Sequence, residues 1–188
     1  MKGCVPFANR LIARWRPSND VPSFERECHV RLAIVFLTAF AALTAAGVGG
    51  AGPPPGQAPP RWPVLDEYAG KVVLVDFWAS WCSPCLKSFP WMNEIQRKHG
   101  GEGFVVVAVN LDQERGFADA FLAKTPAKFH MEFDPAGTIA RQFGVQAMPT
   151  SVLIDRNGKI RARHAGFKDK HRAEREQQIL QLLKEPAA

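Results

Sequence analysis

An α/β fold, a mixed sheet covered by helices, is predicted by three observations on this chain. Two continuous apolar runs of strand length, residues 71–78 and 104–109, are rich in β-branched and aromatic side chains, as strands buried on both faces are. Longer segments of helical character alternate with them. Near the C-terminus two further runs flank Asn157-Gly158, the pair that most strongly marks a tight β-hairpin.

The elements follow in order. Residues 71–78 form the first strand, with a single acid, Asp76, inside it. Residues 83–99 read as a helix that contains Pro90 and is closed by Gly100-Gly101. Residues 104–109 are the second strand and 115–123 another helix. After His130-Met131-Glu132-Phe133, Asp134-Pro135 begins a turn and residues 137–143 a short helix. Residues 151–155 and 160–164 are the hairpin strands. A last helix over 168–184 sets Ala173, Ile179, Leu180 and Leu183 on one face. The order β-α-β-α followed by β-β-α gives the mixed sheet and its helical cover. No internal repeat interrupts it.

With 188 residues, 46% apolar and 22% charged, the chain is long enough for one well-buried domain and too balanced for disorder throughout. Its net charge of +6 is unevenly spread: residues 156–175 carry eight basic and two acidic side chains. Nothing resembles a continuous nucleic-acid footprint, so no nucleic-acid partner is expected. The plain reading of the basic run is a solvated hairpin and helix face; the sharper one is contact with anionic lipid headgroups or an acidic partner.

Residues 32–52 carry no charge and follow Arg10, Arg14, Arg16, Arg26 and Arg31, the pattern of an export signal or a membrane anchor. Thr44-Ala45-Ala46 offers small residues for cleavage, yet the uncharged stretch also reaches spanning length. The segment ahead is long for a signal, which predicts a true start downstream of Met1, at Val21 or Val30 read as an alternative initiator. The positive flank stays cytoplasmic and the rest is exported, free in the periplasm or held at the inner membrane. Residues 1–52 are thus the export signal or anchor, 53–62 a Pro/Gly-rich linker and 63–185 the folded domain.

Of four cysteines, Cys4 and Cys28 fall before the exported part, leaving Cys82 and Cys85. They lie in Trp81-Cys82-Ser83-Pro84-Cys85, at the step from a buried strand into a helix. Residues three apart in a first helical turn have Cα atoms roughly 5–6 Å apart, within bridging range, so a reversible Cys82–Cys85 disulfide is expected. The helix N-terminus favours negative charge and lowers the pKa of the first thiol. Cys82 is therefore expected to be thiolate-rich and exposed, and Cys85, one turn in, shielded. Cys82 attacks a substrate disulfide, and Cys85 resolves the mixed disulfide. A metal site needs more ligands, and His99, His130, His164 and His171 have no ligand spacing, so neither metal nor cofactor is expected. An inert structural disulfide closes too small a loop to add much stability.

These residues carry a family resemblance. Val75-Asp76-Phe77-Trp78-Ala79-Ser80-Trp81-Cys82-Ser83-Pro84-Cys85 resembles the active-site segment of thioredoxins, and Gly144-Val145-Gln146-Ala147-Met148-Pro149-Thr150 resembles their cis-proline loop. An insertion around residues 125–143 and the export signal make the chain similar to the TlpA-like branch of bacterial thiol–disulfide oxidoreductases, over residues 63–184. The resemblance implies a thioredoxin-like fold. It implies that Asp76, its pKa raised by burial, exchanges a proton with Cys85; the alternative is a strand-end acid open to water. It implies that Pro149 is cis and packs beside the disulfide, leaving the Met148 backbone to pair with an extended substrate, with Thr150 in the same substrate-binding loop; the alternative is an ordinary trans turn. Trp81 either covers one side of the thiol pair or is a plain core residue. Pro90 corresponds to a helix-kinking proline.

Two departures qualify the likeness. Lys87-Ser88-Phe89-Pro90 lacks the Glu that many cytochrome-c-maturation members carry shortly after the second cysteine, which weakens a role in haem attachment. Residues 63–71 are also short for the branch's N-terminal β-hairpin, so that edge of the sheet is expected to be trimmed. Ser-Pro between the cysteines lacks the His of strongly oxidising relatives, and a reductase of extracytoplasmic protein disulfides, recharged by a transmembrane electron donor, is expected. The rival is a non-catalytic thioredoxin-fold binding module or a copper-delivery accessory protein.

Overall fold

The computed structural model describes residues 52–187. The signal or anchor segment up to residue 51, the alternative start sites, Cys4 and Cys28 lie outside the described residues. Among the described residues no helix is long and apolar enough to cross a membrane.

Five strands, β1 (Val72–Trp78), β2 (Phe104–Asn110), β3 (His130–Phe133), β4 (Thr150–Ile154) and β5 (Ile160–Ala165), form one sheet in the order β3-β2-β1-β4-β5. β2 pairs parallel with β1 and with β3, whereas β4 pairs antiparallel with β1 and β5. The helices are α1 (Pro63–Asp66), α2 (Ser83–His99), α3 (Arg115–Lys124), α4 (Thr138–Gln142) and α5 (Arg172–Lys184), with 3₁₀ turns at Gly100–Glu102 and Asp169–His171. This is a thioredoxin-like α/β fold.

β1 is central, and all seven of its residues are buried. Alternation along the strand sends Val72, Leu74 and Trp78 into a core with Phe89, Met92 and Ile95 of α2 and Ile179 and Leu182 of α5. Val73, Val75 and Phe77 enter the opposite core with Trp62, Ala140 and Phe143. Asp76 shares the alternation of the first group and so lies on the face that also holds Cys82 and Cys85. Six apolar side chains of β1, each contributing about 1.5–3 kcal/mol on burial, outweigh the several kcal/mol that one buried carboxyl costs. The strand therefore tolerates an acid at its centre.

Three features differ from the sequence-based expectations. The segment taken as an insertion supplies β3, a short half-buried strand that completes the parallel edge, ahead of α4, the short helix expected over residues 137–143. The buried face of α5 is Arg175, Ile179 and Leu182, while Ala173 is exposed. That rotation follows from the Arg175 guanidinium, which packs over Phe167 at 5.4 Å and donates from Nη2 to the Gly166 carbonyl at 2.8 Å. Residues 53–62, expected as a linker, are partly docked: Gly56 N–H donates to Ile160 O at 2.7 Å, Ile160 N–H to Gln57 O at 2.9 Å, and Trp62 packs edge-on against Phe143. Their composition excludes a core of their own but not pairing with a sheet edge. Among the described residues no hairpin precedes β1, where α1 stands instead.

Candidate active site

The thiol pair sits where β1 hands over to α2. Cys82 is the N-cap of this 17-residue helix, in an extended conformation, and Pro84 occupies its first turn, where a missing N–H costs nothing. Cys82 and Cys85 are joined by a disulfide with Cα atoms 5.3 Å apart. Cys85 N–H donates to Cys82 O at 2.9 Å, the first helical bond of the turn that sets their spacing. Pro90 lies inside α2.

Cys82 is 4% exposed, and Cys85 is wholly buried. The expectation of an exposed Cys82 is corrected: in the disulfide, bonding to the interior Cys85 draws Cys82 into the core cluster of α2. The order of accessibility is nevertheless as expected, with Cys82 outermost. Trp81 is 70% exposed, which excludes a plain core role and leaves an indole on the surface next to Cys82. Leu86 is also exposed, one residue beyond Cys85.

The loop ahead of Cys82 is fastened by a residue that sequence reasoning missed. Asp112, buried after β2, accepts from Ser80 N–H at 3.0 Å and from Ser80 Oγ at 3.0 Å, and Asn110 Nδ2 donates to it at 2.8 Å. Leu111 N–H donates to Trp78 O at 2.9 Å, tying the same two strand ends. The signal was a polar Asn-Leu-Asp sequence closing an apolar strand, and spacing gave no hint of its distant partner.

Asp76 is 1% exposed and lies within β1, opposite Ala108 on one side and Ser151 on the other, so it is no strand-end acid open to water. Ser151 Oγ donates to Asp76 Oδ1 at 2.6 Å, and Oδ2 has no hydrogen-bond partner. Burial pushes its pKa up to about 7, against the lowering effects of Ser151 and of the Arg175 charge. A buried carboxyl that titrates near neutrality can hold or release a proton under working conditions.

The Met148–Pro149 peptide is cis. Pro149 O accepts from Gly166 N–H at 2.7 Å, while among the described residues Met148 makes no backbone hydrogen bond. Pro149 is buried and Met148 half-buried, packed against the core cluster that holds both cysteines. Thr150, expected on the substrate surface, is buried instead, and its hydroxyl donates to Ala147 O at 2.6 Å inside the loop. It shapes the loop rather than presenting a group outward.

The basic run is mostly engaged internally. Arg156 donates to the carbonyls of Gly70 and Glu102, Arg163 to that of Phe143, and Arg161 pairs with Asp155 and Glu185. Lys159, Lys168 and Lys170 remain exposed. Among the described residues no group of three or more His, Cys, Asp or Glu side chains is placed to hold a metal ion.

The model of the Redoxin family matches residues 63–180, which include the disulfide, Asp76 and the cis-proline loop. The chain belongs to the Redoxin family. This Redoxin chain is 36% identical over 96 residues to the thiol-disulfide oxidoreductase ResA of Bacillus thuringiensis subsp. konkukian, across 51% of its own length and 56% of that protein's. It thus spans little more than half the length of the curated relatives it matches first. It is 37% identical over 130 residues to a thiol:disulfide interchange protein DsbE homolog of Paracoccus denitrificans, across 66% of this chain and 70% of the relative. Among solved structures, a thiol:disulfide interchange protein DsbE from Chlorobium tepidum matches with a TM-score of 0.63 at 49% identity, across 71% of this Redoxin chain and 96% of the other.

Proposed function

We propose that this chain is an exported thiol–disulfide oxidoreductase that reduces disulfides in extracytoplasmic proteins through Cys82 and Cys85. The observation that carries the reading is the Cys82–Cys85 disulfide at the N-terminus of α2, on the same sheet face as a buried carboxyl, Asp76, that titrates near neutrality.

In the reduced protein the α2 N-terminus favours the Cys82 thiolate. The thiolate attacks one sulfur of a substrate disulfide, forms the mixed disulfide and expels the other sulfur as a thiolate. Trp81 and the unpaired Met148 backbone offer the incoming segment an apolar surface and a hydrogen-bonding edge. Asp76 takes the proton of Cys85. The Cys85 thiolate then attacks Cys82 Sγ, forming the intramolecular disulfide and releasing the second substrate thiolate. The substrate gains two electrons and the protein loses them, so a dithiol donor must recharge it; at the membrane this is a transmembrane electron carrier. The uncharged segment 32–52 directs export or anchors the domain at the inner membrane.

Insulin reduction with dithiothreitol tests the activity. Turnover that Cys82→Ser abolishes supports the enzyme, whereas an inactive wild type that binds Cu(I) tightly identifies a copper-delivery protein. A measured reduction potential well above about −180 mV would make the chain an oxidase or isomerase rather than a reductase. A Cys85→Ala variant expressed in its native cell is expected to retain its substrate as a mixed disulfide that mass spectrometry identifies.

A further inference from the structure

Arg175 is the one arginine of the basic run whose head group is drawn into the core beside the redox face. Its residue is 7% exposed, it lies on the buried stripe of α5, and α5 packs against β1. One guanidinium nitrogen, Nη2, is committed to the Gly166 carbonyl, while Nε and Nη1 are buried and unpartnered. The Asp76 oxygen turned away from Ser151, Oδ2, is buried and unpartnered as well. A buried cation and a buried acid with unspent donors and an unspent acceptor thus share one face of the sheet, and each acts electrostatically on the other.

We infer that Arg175 is a positioning residue for the resolution step: its charge, set on the same buried face, favours the ionised form of Asp76 that accepts the Cys85 proton. The inference rests on the oxidoreductase reading and extends it to the C-terminal helix.

The surroundings of Asp76 leave this role to Arg175. β2 presents Ala108 beside it, and β4 presents Ser151, a neutral donor. α2 contributes Cys85 and Ser88 to the buried face, and the Ser88 hydroxyl is spent on the Cys85 carbonyl. α5 contributes Arg175, with Glu174 next to it in sequence. His164 of β5 is bonded to Gln178, and burial together with the Arg175 charge lowers its pKa, so at neutral pH it is uncharged. On its outer side Arg175 borders a cavity of about 290 Å³ that it shares with His164, His171 and Glu174. Burial lowers the Arg175 pKa, but an arginine starts so high that it stays protonated.

The step balances without a further reagent. The Cys85 proton passes to the Asp76 carboxylate, the Cys82–Cys85 bond forms, and the bond from Cys82 to the substrate sulfur breaks. The substrate thiolate leaves with the electron pair. A neutral Asp76 cannot take that proton, so removing the Arg175 charge slows resolution and leaves the earlier attack by Cys82 unaffected.

The test uses Arg175→Gln, which keeps a donor for the Gly166 carbonyl but carries no charge, and Arg175→Lys, which keeps the charge. Carbon-13 titration of the Asp76 carboxyl in the full chain is expected to move up by about one pH unit in R175Q and to stay near the wild-type midpoint in R175K. In single turnover, with Cys82 loaded as a mixed disulfide with a chromogenic aromatic thiol, R175Q is expected to release the thiol about fivefold more slowly at pH 7 and at the wild-type rate at pH 9. In the Asp76→Asn background, where no buried carboxylate needs a counter-charge, R175Q is expected to add no further slowing. An unmoved Asp76 midpoint in R175Q, equal slowing in R175K, or additional slowing in the D76N background overturns the inference. A wild type whose Cys85 never resolves the mixed disulfide would instead defeat the oxidoreductase reading, and the carboxyl titration would still decide whether Arg175 governs Asp76.

Discussion

Two buried carboxylates, one in the middle of β1 and one just beyond β2, are treated in opposite ways by the same fold. Asp112 is surrounded by donors: Ser80 N–H and Oγ and Asn110 Nδ2 all bond to it, and it fastens the loop that leads to Cys82. Asp134 and Asp155 follow the same pattern, each accepting backbone N–H groups from the turn it builds. Asp76 receives one hydroxyl and leaves an oxygen unbonded. A carboxylate surrounded by N–H donors ties the segments that carry them together and builds structure. One left half-satisfied in an apolar strand sits near its point of ionisation, which a proton carrier requires.

The largest effect is expected from removing that tension. With a native pKa near 7 and the ordinary value at 3.8, folded Asp76 holds a proton that the unfolded chain has already lost between pH 4 and pH 7. Its contribution to stability is fully present below about pH 4, declines as the pH rises through 7, and costs up to roughly 4 kcal/mol above that. Asp76→Asn is therefore expected to match wild type at pH 4 and to be more stable by a few kcal/mol at pH 8, in urea unfolding at both values. The same variant is expected to slow release from the mixed disulfide by about 100-fold while the initial attack by Cys82 changes little. A stability difference that does not vary with pH, or equal slowing of both steps, would dissolve the contrast with Asp112.

Asp112→Ala is expected to behave in the reverse manner. Ser80 N–H and Asn110 Nδ2 would lose their acceptor, at a combined cost of about 3 kcal/mol. The Asp76 titration should persist in this variant, because Asp76 and its donor Ser151 are untouched. Urea unfolding measures the loss, and a variant as stable as wild type would show that these donors find other partners.

Asp76 was legible in the sequence, and Asp112 was not, for a physical reason. A lone acid in seven strand residues of otherwise apolar character is conspicuous, since nothing local could satisfy it. An acid just past a strand end looks like any turn residue, and its partner Ser80 lies 32 residues away. β1, β2 and α2 were legible because continuous burial and a Gly-Gly stop leave strong local patterns. β3 was not, because four half-buried residues carry no clear period and gain their identity from pairing with β2. The phase of α5 failed because Arg175 occupies a core position by burying an aliphatic stem and finding a carbonyl at its tip, which a hydrophobicity pattern cannot register. The two cysteines were legible by spacing alone, whereas the depth of Cys82 depends on its bond to Cys85.

A smaller effect separates the two inputs to Asp76. Ser151→Ala removes its hydroxyl donor and is expected to cost about 1 kcal/mol, while the Asp76 titration moves further above 7. The pH range over which stability declines then extends upward, because the folded acid keeps its proton longer. Unfolding measured from pH 5 to pH 9 checks this, and a decline ending below pH 7 would show that Ser151 favours the protonated acid.

Trp81 carries the comparison out to the surface and is expected to have the least effect on the fold. An indole 70% exposed contributes little to folding, so Trp81→Ala should change stability by less than about 0.5 kcal/mol. Its expected cost falls on association: a several-fold rise in KM for a protein disulfide, with little change toward a small aromatic disulfide that has no chain to lie across the indole. Asp76→Asn must do the opposite, slowing resolution for both substrates alike, because a proton inside the sheet is indifferent to what has docked above it. If Trp81→Ala instead lowered turnover equally for both substrates, the indole would act on the thiols themselves.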